Sequence, residues 1–132
     1  MKFLSLEEIL YFHSHIVMTL QGEFAMAKVL NSDQLRASVA RYRQEVFGKE
    51  VHEGELSKAA ALAQSLILGH PFNDGNKRAG ITAACVFLMI NGYQLKVTDD
   101  DIVDAALKTA RGSWTFEDLR YWFESHSDKI IS

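Results

Sequence analysis

A chain of 132 residues, 48% apolar and 23% charged, can bury one core but is too short for two ordinary domains, so any site is expected within a single domain. A formal net charge of -3 argues against general nucleic-acid binding, and no stretch has the composition of a disordered tail. The lone cysteine, Cys85, has no partner for an intramolecular disulfide, and Glu7 and Glu8 stand where a leader would be apolar. Both point to the cytoplasm. The longest apolar run, residues 79–90 broken only by Thr82, falls short of the roughly 18 to 20 residues of a bilayer span, so no membrane partner is expected.

From Ser5, SLEEILYFHSHIV repeats apolar residues at helical spacing, and Ser5 with Glu8 has the form of a capping box. Residues 20–31 lose the period, and SDQLRASVARYRQ resumes it as a second, shorter helix. QEVFGKEVHEG keeps no helical period around Gly48 and reads as a small β-hairpin or an irregular flap. ELSKAAALAQSLILGH is rich in alanine, the strongest helix former, and predicts a helix that stops at the only proline. KRAGITAACVFLMIN is apolar almost all round, the pattern of a helix enclosed by others. Asn91-Gly92 ends it and YQLKV is extended. TDDDIVDAALKTARG opens with acids, closes with cations and Gly112, and so complements a helix dipole at both ends. TFEDLRYWFESH supplies a last amphipathic helix. The expected architecture is all-α, a compact single-domain helical bundle over residues 1–132 with a short flap or hairpin before the central helix pair.

Between those two helices lies HPFNDGNKR, residues 70–78. Pro71 disfavours helical geometry at His70, which fixes that histidine at a helix exit. Asp74-Gly75 supplies a turn, and the chain re-enters helix at Asn76 with free backbone N–H groups. Lys77 and Arg78 fall in that first turn, where cations oppose the helix dipole and an incoming anion would relieve the conflict. Backbone N–H groups, a lysine and a forked guanidinium suit a phosphate. Asp74 is placed to hold Mg²⁺ on the same phosphates, and His70 to act as a general base. The segment is not a Walker loop, because no Gly-Lys-Ser or Gly-Lys-Thr follows Gly75.

HPFNDGNKR closely resembles the signature of the Fic/Doc superfamily, HPFx[D/E]GN, a variable residue, then Arg. The order of SLEEILYFH, DQLRASVARYRQEVFGKE, the alanine-rich helix, the motif and FLMINGYQLKVTDDDIVD resembles the small death-on-curing (Doc) branch over residues 5–123. Where Fic adenylyltransferases have a glycine this chain has Lys77, and where they have a second arginine it has Ile81. Both departures are typical of Doc-like proteins, for which the resemblance implies transfer of the γ-phosphate of ATP rather than of AMP. It makes His70 the base that deprotonates a Ser or Thr hydroxyl, Asp74 the Mg²⁺-side acid, and Asn73, Gly75, Asn76, Lys77 and Arg78 the nucleotide-phosphate cradle. Phe72 becomes an apolar anchor. The implied role is a toxin that phosphorylates elongation factor Tu, blocks translation and is restrained by an antitoxin in trans, since the inhibitory pattern [S/T]xxxE[G/N] fails at Phe24 after Thr19 and Glu23. Residues 44–52 align with the family's target-peptide flap. The alternatives are AMP transfer, and a non-catalytic module that binds anions and a partner.

The remaining residues have plainer readings. His13, His15, His52 and His126 lack metal-ligand spacing with His70. Cys85 reads as a small buried hydrophobe. Trp114, Phe116, Tyr121, Trp122 and Phe123 suit packing of the last helix more than a partner face, and Arg36, Arg41 and Arg43 could contact an acidic antitoxin or nucleic acid but read more simply as a solvated cationic face.

Overall fold

The computed structural model describes residues 1–5, 7–9, 11, 32–46, 49–50, 52, 54–69 and 76–130. Two consecutive helices form its centre. Helix α1 is Ser32–Tyr42, α2 is Gly54–Leu68 and α3 is Asn76–Ile90; α4, Asp99–Ala110, and α5, Phe116–Ser125, follow. The expected all-α class is observed. Alanines 59, 60, 61 and 63 of α2 are fully buried, and their small side chains let neighbours approach the helix on several sides. Helices α1, α3, α4 and α5 all pack against α2.

Helices α2 and α3 approach closely at Gly80. A Cβ there would lie 2.9 Å from Ile67 Cγ1 and 3.0 Å from the backbone oxygen of Ala63, so only glycine fits without movement of the helix pair. Ile81, Phe87 and Leu88 of α3 and Leu62, Leu66 and Ile67 of α2 are fully buried. Each such side chain contributes roughly 1.5–3 kcal/mol relative to exposure. Met89 and Ile90 depart from the expected enclosure of α3 and are exposed.

The N-terminal segment is tied to this core. Ser5 and Glu8 form the expected reciprocal cap, with backbone-to-side-chain bonds of 2.9 and 3.1 Å, and residues 7–9 and 11 are helical. Tyr42 donates its hydroxyl to the Leu4 carbonyl at 2.7 Å and meets Phe87 edge-on; burial pushes its pKa up to about 12. Asn91, at the end of α3, hydrogen-bonds the Lys2 backbone in both directions and the Phe87 carbonyl.

Two short antiparallel ladders complete the described residues. Strands β1, Glu45–Val46, and β2, Lys49–Glu50, pair between α1 and α2, so the flap takes its hairpin form. Strand β3, Tyr93–Leu95, pairs with β4, Ser127–Lys129, a strand that the sequence reading did not anticipate. Residues 20–31 lie outside the described residues. The aromatic residues behave as packing predicts: Trp122 and Phe123 are buried, Trp114 and Phe116 lie against the core, and Tyr121 is exposed. No helix among the described residues is long and apolar enough to cross a membrane.

Candidate active site

Helix α2 carries its hydrogen bonding one residue beyond Leu68, with Gly69 N–H donating to the Ser65 carbonyl at 2.9 Å, and α3 begins at Asn76. The two ends of the motif are therefore held by two helices locked together at Gly80. Ile67 stands three residues before His70 and Gly80 two residues after Arg78, so this contact fixes the spacing across which the motif runs. The sequence reading described α3 only as generally apolar. The close approach at Gly80 depends on Ile67 and Ala63 of another helix.

Of the residues singled out in sequence, His70, Asn73, Asp74 and Gly75, together with Pro71 and Phe72, lie outside the described residues. Asn76 and Lys77 are the first two residues of α3 and Arg78 is the third. That first turn contains no acid. Arg78 is half-buried, and its Nε is shielded from solvent with no hydrogen-bond partner among the described residues. A buried guanidinium N–H left unmade costs about 1–3 kcal/mol or more, and an oxyanion at the helix start is the group that would satisfy it. An acid-free helix start with a shielded guanidinium N–H is chemically able to bind an anion.

Ile81, the residue that stands where a second arginine would be needed, is fully buried and brings no guanidinium to the site. Cys85 takes no part in chemistry: it is buried in α3 and burial pushes its thiol up to about 12, far from a reactive thiolate.

Around the site the basic residues of α1 divide. Arg36 is exposed beside Asp33 and fits the solvated face expected of it, and Arg43 lies over the Phe3 ring at 4.7 Å. Arg41 corrects the reading. It is half-buried and donates through Nη1 to Ser65 Oγ at 2.9 Å and through Nη2 to Gln64 Oε1 at 3.1 Å, so it joins α1 to the last turn of α2 instead of facing solvent. His52, also half-buried, lies beside Phe116, and burial first, then the nearby charges of Arg41 and Lys58, hold its pKa below the ordinary value. Lys58 itself is buried and donates to the His52 carbonyl.

A motif strung between two locked helices and a phosphate-ready helix start agree with a match to the model of the Fic/DOC family over residues 3–88. The chain belongs to the Fic/DOC family. Within that family it is similar to Toxin Doc of Mycolicibacterium smegmatis (strain ATCC 700084 / mc(2)155), at 45% identity over 73 residues, 55% of this chain. The alignment spans 56% of that protein's length. The Fic/DOC match contains the whole motif and ends within α3, so the likeness seen in sequence beyond residue 88 falls outside it.

Proposed function

We propose that this chain is the toxin of a toxin–antitoxin pair, a protein kinase that transfers the γ-phosphate of ATP to a Ser or Thr hydroxyl of a translation protein, elongation factor Tu being the expected target. The observation that carries the reading is the orphaned, buried Nε of Arg78 in an acid-free first turn directly after HPFNDG. Membership of the Fic/DOC family and similarity to Toxin Doc support the role, and an antitoxin is the corresponding partner.

In this scheme the Arg78 guanidinium and the first-turn N–H groups of α3 hold phosphate oxygens, with Asn73, Gly75, Asn76 and Lys77 completing the cradle. Asp74 holds Mg²⁺, which supplies neutralisation of phosphate charge. His70 takes the proton of the target hydroxyl as its oxygen bonds to the γ-phosphorus and the bond to the departing ADP oxygen breaks. Positioning and charge stabilisation supply most of the catalysis in phosphoryl transfer, so a small set of residues suffices. Ile81 favours phosphate over AMP as the transferred group, because an isoleucine there leaves out the second cation that an adenylyltransferase sets on the pyrophosphate.

The test incubates the protein with elongation factor Tu, Mg²⁺ and ATP labelled on either the γ- or the α-phosphate, beside a His70→Ala control. Label transferred from γ-ATP alone, and only with His70 present, is the expected result. Transfer from α-ATP alone would replace the kinase by an adenylyltransferase, and no transfer from either would favour the binding-module alternative.

A further inference from the structure

Beside the start of the motif, α1 and α2 enclose an open pocket of about 240 Å³ lined by Ala37, Ser38, Arg41, Gln64, Ser65, Leu68 and Gly69. Its charged lining residue, among the described residues, is Arg41. Among the described residues no carboxylate pairs with this guanidinium; its two hydrogen bonds go to the neutral Ser65 hydroxyl and Gln64 amide. A half-buried cation held by neutral partners has lost part of its hydration without gaining an opposite charge, an unfavourable arrangement unless something else supplies that charge. Of the five N–H donors of a guanidinium, two are used by described residues here.

The neutral bonds also orient the group. They hold the planar fork between two helices, so it is set in advance for the two oxygens of a carboxylate. Next to it Leu68 is 47% exposed and Ala37 is exposed, giving an apolar flank that free phosphate does not need and that the methylenes of an acidic side chain can cover. The depressed pKa of the nearby His52 reports the same local positive field, after burial as its main cause.

We infer that this pocket is a carboxylate subsite, in which Arg41 receives a glutamate or aspartate side chain of a partner polypeptide docked across α1 and the last turn of α2. Gly69, which lines the pocket, directly precedes His70 in the sequence. The inference does not require that the motif transfer phosphate, and its test reads binding alone.

The experiment titrates the ¹⁵N-labelled full chain with the acetylated, amidated peptide Ala-Glu-Ala, with its Ala-Gln-Ala counterpart, and with inorganic phosphate, following the Arg41 Nε–H and Gly69 amide signals. The glutamate peptide is expected to shift both saturably and to bind about tenfold or more tightly than the glutamine peptide, the difference of one charge-assisted contact. Arg41→Gln should abolish this response, whereas Arg36→Gln should keep it. Equal responses to the two peptides, no saturable shift, a response that survives Arg41→Gln, or tighter saturation by phosphate than by the glutamate peptide would each overturn the assignment. Should Arg41→Gln fail to fold, the comparison of the two peptides on the unaltered chain still decides the matter.

Discussion

Helices α4 and α5 begin in one way and α3 in another. Thr98 accepts from the Asp101 N–H while the Asp101 carboxylate accepts from Thr98 N–H, and Thr115 and Asp118 repeat the arrangement. Asp99, Asp100 and Asp101 in α4, and Glu117 and Asp118 in α5, place negative charge on the positive end of the helix dipole. Helix α3 begins with Asn76, Lys77 and Arg78, no acid, and a guanidinium nitrogen buried without a partner among the described residues. The first two starts are complete within the protein. The third is packed against its neighbour α2 at Gly80 and carries a charge pattern that an anion would complete.

The largest way to break this contrast is at the chemistry that the open end serves. His70→Ala is expected to lower phosphate transfer by roughly 10²- to 10⁴-fold, the usual contribution of a general base, with thermal stability unchanged in the same preparation. Next comes the packing that holds α3. Gly80→Val is expected to destabilise the fold by about 1–3 kcal/mol through overpacking against Ile67 and the Ala63 carbonyl, seen as a lowered midpoint in urea unfolding. At the closed ends the effects are smaller. Thr115→Ala should cost about 1 kcal/mol, the worth of a hydroxyl cap, and leave phosphate transfer untouched.

Smallest is a pH effect at the start of α4. The hydrogen bond from Thr98 N–H holds the Asp101 carboxyl below its ordinary pKa. The folded-state pKa is thus the lower one, so the stabilisation is present above the ordinary aspartate value and is lost as pH falls through the lowered one. Acid titrations of Asp101→Asn should show a shallower loss of stability in that range than the unaltered chain, whose steeper loss comes from protonating this cap.

Much of this contrast is legible in sequence, since caps and helix breakers act locally. Thr98 with its three following acids, Ser5 with Glu8, and Asn91-Gly92 mark their boundaries by residue type, and each is found there. Gly48 marks the hairpin of β1 and β2 between α1 and α2 for the same reason. What sequence does not show depends on distant partners. Strand β4 has no apolar alternation in Ser-Asp-Lys, and it exists because Leu95 and Tyr93 of β3 offer it a ladder across more than thirty residues. The burial of Arg41 is decided by Ser65 and Gln64 of another helix, and the need for glycine at position 80 by the Ala63 carbonyl. Within the motif, residue types alone suggest an anion site, and Arg78 is the residue at which the structure adds its own argument.

The most direct measurement of the central claim, that the start of α3 is completed by a phosphate, is calorimetric binding of ATP with Mg²⁺ to the unaltered chain and to Arg78→Gln. The account predicts saturable binding that weakens by about tenfold or more when the guanidinium is removed, as expected for loss of a charge-assisted contact. Equal affinity in the two proteins, or no binding to the unaltered chain, would contradict it.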